Sequence, residues 1–337
     1  MSALSDATLE HLRRVADWPE MVGGRYRVLE KIGSGGMGSI YLAHDAELQR
    51  NVCIKVLHSF DDPLFVERIR SEARILARLE HPGIIPVHDV GTLADGRIFY
   101  VMKHVRGHSL DEHAAHLNSL PEALQLFERI CEPIAFAHAQ GIIHRDLKPE
   151  NVMVGSFGEV LVLDWGVAKI STDPPPPAEA VTSQPPREGI TAPGTILGTP
   201  GYMAPEQARG DQDAVDARAD VHALGAVLHF LLTGQLSAAP ASGAPESLKL
   251  PRWAGAVPRP LKAICKKAMA PEPRDRYPSV TALSEDVSRF LAGARVLAHA
   301  ESGLEKAQRF ASKYRTPILL VLAYLLMRLV GLLIRRG

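Results

Sequence analysis

The stretch "HRDLKPEN", residues 144–151, concentrates polar groups between two apolar segments. Six of its eight positions carry polar or ionisable side chains: His144, Arg145, Asp146, Lys148, Glu150 and Asn151. Pro149 prevents a continuous helix here. The flanking "IAFAHAQGII" and "VLVLD" predict a helix before this stretch and a strand after it. Taken alone, the stretch fits a plain surface loop as well as a functional site.

A glycine-rich segment near the N-terminus, "IGSGGMGSIY", has the spacing GxGxxG at Gly33, Gly35 and Gly38. This pattern alone is a weak signal. A dinucleotide-binding fold needs a helix next and an acidic residue about 20 positions later, whereas "SIYLAHD" predicts a strand. The segment therefore fits a hairpin tip whose backbone amides approach phosphates.

Lys55 lies in the apolar strand pattern "NVCIKVL". Alternate residues of a strand share a face, so Lys55 faces the same way as Cys53 and Leu57. A snorkelling surface lysine fits the strand taken alone. Glu72 offers a partner, because the helix predicted over 63–79 places it in an apolar seam, where an unpaired carboxylate is costly. We expect a Lys55–Glu72 pair that aims the ammonium at a phosphate.

Oxygen ligands accumulate between the polar stretch and the strand that follows it. The stretch supplies Asp146 and Asn151, and "VLVLDWG" places Asp164 at the end of an apolar strand. Carboxylate and amide oxygens suit a hard cation such as Mg²⁺, which prefers oxygen ligands and phosphates. Each residue alone could be a cap or a turn former, but their order after a glycine loop and a strand lysine is improbable by chance.

The composition is that of an ordinary globular protein, with 46% hydrophobic and 23% charged residues. The net charge is zero and no basic stripe alternates with aromatics, so we expect no nucleic-acid partner. The three cysteines form no CxxC pair, which excludes a zinc spacing or a disulfide framework and favours buried free thiols. Short β-rich runs fill residues 26–105, and helical periodicity dominates afterwards.

The motifs together resemble those of the eukaryotic-type (Hanks-type) serine/threonine protein kinases that bacteria carry. The match runs from about Tyr26 to Leu291 and includes "DWG" (164–166) and "APE" (204–206). Most members of that family have "DFG" where this chain has "DWG".

Two further residues match the family outside these motifs. Asp220 resembles its buried aspartate, and Arg276 resembles the arginine that pairs with the glutamate of "APE", here Glu206.

The resemblance implies an α+β, two-lobed protein kinase fold with a small β-rich N-lobe, a larger mainly α-helical C-lobe and a C-terminal hydrophobic helix. The expected parts are an N-terminal extension (1–25), a kinase domain (26–293) divided into N-lobe (26–105) and C-lobe (106–293), an activation segment (164–206), a juxtamembrane linker (294–316) and a membrane-spanning helix (317–334).

The resemblance also implies the site. The catalytic residues would be Asp146, Lys148, Lys55 and Glu72, with Asp146 accepting the proton of the substrate hydroxyl. Asn151 and Asp164 would hold Mg²⁺ or Mn²⁺. The residues expected to contact ATP are Ile32, Gly33, Gly35, Gly36, Gly38, Ile40, Lys55, Met102, Lys103, Val105, Asn151 and Asp164. Met102 would be the gatekeeper of the adenine pocket.

Regulation is expected in the Pro-rich segment between "DWG" and "APE". In the family, an arginine at the position of Arg145 often binds a phosphorylated residue of this segment. Thr191 and Thr195 are the expected phosphosites, and Thr199 resembles the threonine that favours Ser/Thr substrates. For residues 172–189, a tolerated insertion is the alternative that we favour.

The C-terminus is almost wholly apolar from Ile318 to Ile334. It approaches the ~20 residues of a membrane span. Arg328 opposes insertion by about 2.5–3.5 kcal/mol at the centre of a span, although it is near enough to Ile334 to snorkel. An inner-membrane protein with a cytoplasmic kinase domain is expected; the alternatives are a cytoplasmic protein and an amphipathic or oligomerising helix.

The function expected from the resemblance is transfer of the ATP γ-phosphate to Ser/Thr hydroxyls of proteins, with autophosphorylation, in signal transduction. The rivals are a scaffold that binds nucleotide without transfer and a small-molecule phosphotransferase. Every catalytic position carries a competent residue, which argues against the scaffold. The "APE" element and the long activation segment argue against the small-molecule phosphotransferase. A homodimer is a family-level expectation only.

Overall fold

The computed structural model describes residues 18–19, 24–35, 38–57, 79–165, 169–170, 201–210, 214–235, 257–303, 305–306, 319–321, 323–325 and 327–328. The helix predicted over 63–79 lies almost entirely outside them.

The N-terminal part contains a five-stranded antiparallel sheet with strand order β1-β2-β3-β5-β4. Its strands are β1 (Tyr26–Gly35), β2 (Gly38–Asp45), β3 (Arg50–Leu57), β4 (Val87–Thr92) and β5 (Ile98–Lys103). Sequence patterns predict strands at "YRVLEKIG", "SIYLAHD", "NVCIKVLH" and "RIFYVMKHV", and these runs correspond to β1, β2, β3 and β5. β4 is not evident from the sequence, because it alternates half-buried and exposed positions at the edge of the sheet.

β1 and β2 form a hairpin in which Gly35 is paired with Gly38. A strand therefore follows the glycine segment, as predicted, and a dinucleotide-binding fold is excluded. Gly38 is required by packing, since a Cβ there would collide with the backbone of Val56 on β3. At Gly33 a Cβ would meet only Ile40, at an ordinary 3.7 Å. Packing therefore does not require glycine at that position.

The two faces of β3 pack into different clusters, as the alternation predicts. Val52, Ile54 and Val56 join one apolar cluster with aromatic residues of β1, β2 and β5. Cys53 joins a different cluster. Lys55 shares that second face and is only 6% exposed, so it is not a snorkelling surface lysine.

The C-terminal part is mainly helical. Its helices are α1 (Leu110–His113), α2 (Leu120–Ala139), α3 (Pro205–Ala208), α4 (Ala217–Thr233), α5 (Arg259–Ala268) and α6 (Val280–Leu291). Short strands accompany them: β6 (Gly107–Ser109), β7 (Ile142–Ile143), β8 (Val152–Gly155), β9 (Val160–Val162) and β10 (Lys169–Ile170). A sheet N-terminal region and a helical C-terminal region confirm the two-lobed fold.

The two central helices have clear boundary signals. Ser119 caps α2, with its side chain accepting a hydrogen bond from the backbone N–H of Glu122. Asp216 caps α4 through the N–H of Arg218, and Gly234 ends that helix with φ +69°. Buried faces of α2, α4, α5 and α6 form the largest apolar cluster, which also contains Trp165.

The C-terminal segment does not support the predicted spanning helix. No helix among the described residues is both long and apolar enough to cross a membrane. Eight residues of 317–334 are described, and all eight are helical. Their large apolar side chains are exposed: Leu319, Leu320, Val321, Tyr324, Leu325 and Met327.

Candidate active site

Lys55 forms an ion pair with the carboxylate at the end of the β9 strand. Its Nζ lies 2.6 Å from Oδ1 of Asp164, and it also lies 5.7 Å from the centre of the Tyr100 ring. The predicted partner Glu72 lies outside the described residues. Lys55 and Asp164 are 109 positions apart in sequence, so this pair brings the two lobes together at the site.

Asp164 is held in an unusual backbone conformation, with φ +56°. The backbone N–H of Leu163, the residue before Asp164, donates to the carbonyl of Asn151 at 2.8 Å. This hydrogen bond places Asp164 beside the polar stretch. Burial by itself would raise the pKa of Asp164, but the adjacent Lys55 ammonium outweighs it and the pKa falls below its ordinary value. The carboxylate is therefore ionised at neutral pH and able to bind a cation.

The polar stretch folds so that three of its side chains converge. Nζ of Lys148 lies 3.4 Å from Oδ2 of Asp146. Nδ2 of Asn151 donates to the same Oδ2 at 3.2 Å and to the backbone carbonyl of Asp146 at 2.8 Å. Because the Asn151 amide nitrogen is used in this way, its oxygen is the atom left for a metal ion.

Asp220 holds the backbone of this polar stretch in place. It is fully buried in α4 and accepts the backbone N–H groups of His144, at 2.8 Å, and Arg145, at 2.9 Å. His138 contributes a third hydrogen bond at 2.7 Å. Burial opposes the charged form of Asp220, but the His138 contact and the backbone donors prevail and its pKa is lowered. Its resemblance to the family's buried aspartate thus has a geometric counterpart.

His144 connects the loop to the segment after β9, which carries Asp164. Its Nε2 lies 2.9 Å from the carbonyl oxygen of Leu163, and its ring packs on Trp165 with centroids 4.6 Å apart. Trp165 is completely buried. Its indole N–H has no hydrogen-bond partner in the described part of the chain.

Arg276 and Glu206 form the predicted buried pair in a bidentate geometry, at 2.6 and 2.7 Å. The remaining guanidinium N–H groups donate to three backbone carbonyls, those of Ala270, Arg218 and Pro271. Burial would raise the pKa of Glu206, but the hydrogen bonds from Arg276 lower it. The pair fixes α3, the helix that carries Glu206.

Several residues that are expected to contact adenine belong to one apolar cluster. Met102 and Val105 are buried there with Cys53, and Ile40 packs against them from β2. Ile32, by contrast, is 48% exposed. The N–H of Lys103 donates to the carbonyl of Pro86 at 3.2 Å, so only the Lys103 carbonyl is left to meet an adenine.

The donor set fits the expected metal. No group of three or more His, Cys, Asp or Glu side chains able to hold a metal occurs among the described residues. The expected oxygen ligands are the Asp164 carboxylate and the Asn151 amide. This set suits Mg²⁺, which commonly keeps several waters and binds one or two carboxylates plus substrate phosphates. Asn151 is 7% exposed, so its oxygen is positioned rather than free to rotate.

Among the residues expected to take part in regulation, Arg145 alone lies in the part of the chain that the structure describes. Arg145 has φ +70°, and its Nε and Nη2 are buried with no hydrogen-bond partner among the residues that the structure describes. Burial lowers its pKa, which Asp220 opposes. The expected phosphosites Thr191 and Thr195, as well as Thr199 and Gly36, lie outside the described residues.

Three contributors to the site are not among the predicted residues. His138 holds Asp220, Gln207 donates to the carbonyl of Arg145, and Cys53 lines the apolar cluster. Two of them had a usable signal: strand alternation places Cys53 on the face of Lys55, and His138 continues the buried face of α2 at Phe127, Cys131 and Ile134, where a histidine needs a partner.

Comparisons with known proteins agree with this geometry. The family model "Protein kinase domain" matches residues 26–289. The chain is similar to the serine/threonine-protein kinase PknD of Chlamydia caviae, with 33% identity over 329 residues covering 88% of this chain and 34% of that protein. It is also similar to PknD of Protochlamydia amoebophila, with 34% identity over 298 residues covering 80% and 30%.

PknD of Chlamydia pneumoniae is a further relative, with 34% identity over 307 residues covering 80% of this chain and 31% of that protein. The chain spans about a third of the length of these curated relatives. The predicted resemblance to bacterial Hanks-type kinases is confirmed, and the chain belongs to the protein kinase domain family.

Proposed function

We propose that this chain transfers the γ-phosphate of ATP to serine and threonine hydroxyls of proteins. One observation carries the proposal: the Lys55–Asp164 pair (2.6 Å) and the Asp146 carboxylate, with Lys148 at 3.4 Å and Asn151 at 3.2 Å, converge at one site. These are the charged groups that phosphoryl transfer requires, namely cations for phosphates and a base for the hydroxyl.

Each residue would contribute by position and charge. Lys55, buried and held by Asp164, would neutralise the α- and β-phosphates. Asp146 would accept the proton of the hydroxyl, and Lys148 would contact the γ-phosphoryl group from beside Asp146. Bound Mg²⁺, held by Asp164 and Asn151, would supply charge neutralisation of the phosphate oxygens.

A labelling experiment on the full chain tests the substrate class. Purified protein, casein, Mg²⁺ and γ-labelled ATP should give label on casein that phosphoamino-acid analysis identifies as phosphoserine and phosphothreonine. Phosphotyrosine alone would contradict the proposed specificity. Absence of protein label, with a nucleotide- and Mg²⁺-dependent thermal shift, would favour the scaffold.

We further propose that phosphorylation of the activation segment controls this activity in signal transduction. The supporting observation is Arg145, whose buried Nε and Nη2 lack hydrogen-bond partners in the described chain. Buried charged donors without partners are costly, and a phosphothreonine would satisfy both. Autophosphorylation of the full chain should label Thr191 or Thr195 in trans or in cis, and Arg145→Gln should remove the resulting activation. Equal activation in Arg145→Gln would contradict this role.

Membrane anchoring through 317–334, with the kinase domain cytoplasmic, stays a proposal supported by the exposed apolar side chains of that segment. Fractionation of cells expressing the full chain should place it in membranes resistant to a carbonate wash, and truncation after residue 300 should release it. Recovery of the full chain outside the membrane fraction would favour the cytoplasmic alternative. Homodimerisation stays a prediction, to be checked by sedimentation.

A further inference from the structure

Gln207 lies in α3 and spans the space between that helix and the loop that carries Asp146. Its Nε2 donates to the backbone carbonyl of Arg145 at 2.9 Å, and its Oε1 accepts the N–H of Ala204 at 3.2 Å. The side chain is 7% exposed. Because one partner only accepts and the other only donates, a single orientation of the amide satisfies both.

The carbonyl that Gln207 holds belongs to the peptide unit joining Arg145 to Asp146. The N–H of the same unit, on Asp146, donates to Nδ1 of His144 at 3.3 Å. A peptide unit is planar, so holding its carbonyl on one side and its N–H on the other fixes its orientation. That orientation sets the direction in which the Asp146 side chain leaves the backbone.

This peptide needs external support because Arg145 has φ +70°. A left-handed conformation is unfavourable for a residue other than glycine, because its Cβ crowds the carbonyl oxygen, and it persists only where the surroundings enforce it. Asp220 holds the preceding peptide through the N–H of Arg145. Gln207 supplies the hydrogen bond on the carbonyl side.

We propose that Gln207 is a positioning residue for the phosphoryl transfer proposed above, acting by holding the Arg145–Asp146 peptide so that the Asp146 carboxylate points at the substrate hydroxyl. It also makes α3 and the catalytic loop move together, because the same amide caps Ala204 in the "APE" element. The inference rests on the proposed function.

Two substitutions separate positioning from packing. Gln207→Met keeps the volume and removes both hydrogen bonds. Gln207→Glu keeps the acceptor for Ala204 but replaces the donor to Arg145 with a carboxylate oxygen, which repels the Arg145 carbonyl. We expect both to lower kcat for casein phosphorylation by about 10–100-fold, since small misplacements of reacting groups have effects of that order. KM for ATP and the nucleotide-dependent thermal shift should stay within about twofold of those of the wild-type chain, because the residues expected to bind ATP are untouched. Gln125→Met, on the exposed side of α2, is the matched control and should change neither.

The strain argument predicts a rescue. Asparagine adopts positive φ more readily than arginine. In an Arg145→Asn background, compared with Arg145→Asn alone and assayed without prior autophosphorylation, Gln207→Met should therefore lower kcat by less than about threefold. A purely structural role would lower the melting temperature with kcat unchanged, or raise KM and lower kcat together, and either result would overturn the inference. A kcat loss of equal size in both backgrounds would overturn the strain argument. A wild-type chain that does not label casein would contradict the proposed function. A wild-type chain that labels casein, with a kcat that does not change when Gln207 is replaced, would contradict only the inference about Gln207.

Discussion

At the residue scale, Trp165 is the clearest departure from the family pattern. Its ring is fully buried against His144, at a 4.6 Å centroid distance. Its indole N–H is buried without a partner among the described residues. Replacing Trp165 therefore has two opposing effects on the free energy of unfolding. Removing the unpaired buried donor raises it by about 1–3 kcal/mol, whereas the packing lost with a smaller ring lowers it.

We expect Trp165→Phe to keep phosphoryl transfer and to change the free energy of unfolding by less than about 1.5 kcal/mol, because these effects offset each other. Trp165→Ala should lower it by about 3–5 kcal/mol, since nothing refills the cavity. Urea unfolding of the three chains measures both values. A Phe variant as unstable as the Ala variant would mean that the indole has a partner that stabilises it.

The identities of the site residues could be read from the sequence, but several of their partners could not. Lys55, Asp146, Asn151 and Asp164 follow from motif order, and the structure brings them together. Gln207 and His138 act on residues 62 and 82 positions away, respectively. No local periodicity encodes contacts of that range.

At the element scale, helical periodicity in the sequence predicts helices over 121–140, 219–234, 259–270 and 279–293. The helices α2, α4, α5 and α6 begin and end within about two residues of these runs. Capping residues such as Ser119 and helix-ending glycines such as Gly234 indicate these boundaries in the sequence. β4 could not be predicted, because "VHDVGT" contains Asp89 and Gly91, which disfavour strands, and the neighbouring β5 supplies the pairing.

The element that follows the activation segment depends on the Arg276–Glu206 pair. We expect Arg276→Met to lower the free energy of unfolding by about 3–5 kcal/mol, because it leaves a buried carboxylate unpaired. Arg276→Lys should lower it by less, since charge is kept but the two-pronged geometry is lost. Urea denaturation measures both.

Arg218 provides the matched control, because its pair with Asp216 is partly exposed. Arg218→Lys should change stability by less than about 1 kcal/mol. Equal losses for Arg276→Met and Arg218→Lys would contradict the importance given to burial.

At the scale of the whole molecule, stability should fall in two stages as the pH is lowered. Burial and Arg276 keep the pKa of His222 below its ordinary 6.5. The unfolded chain therefore takes up that proton first, and stability drops as the pH falls below about 6.5. The lowered pKa of Glu206 acts in the same direction below its ordinary 4.5, since its ionised form is favoured in the folded state.

Calorimetric melting temperatures between pH 7.5 and 3.5 test this prediction. His222→Gln should reduce the first stage without removing it, because the pKa values of His88, His104 and His113 are lowered as well. Glu206→Gln should likewise reduce only part of the second stage, because the pKa values of Asp45 and Asp220 are also lowered. A melting temperature that rises on acidification from pH 6.5 to 5.5 would reverse the expected sign for His222.

The most direct test of the central claim compares γ-phosphate transfer by the full chain with transfer by Asp146→Asn. The two side chains have nearly the same shape, and asparagine lacks the carboxylate that accepts the proton. With labelled ATP, Mg²⁺ and casein, we expect the wild-type chain to transfer label. The variant should retain the nucleotide-dependent thermal shift and lose transfer by at least about 100-fold, the lower end of what general base catalysis supplies. Undiminished transfer by folded Asp146→Asn would contradict the account.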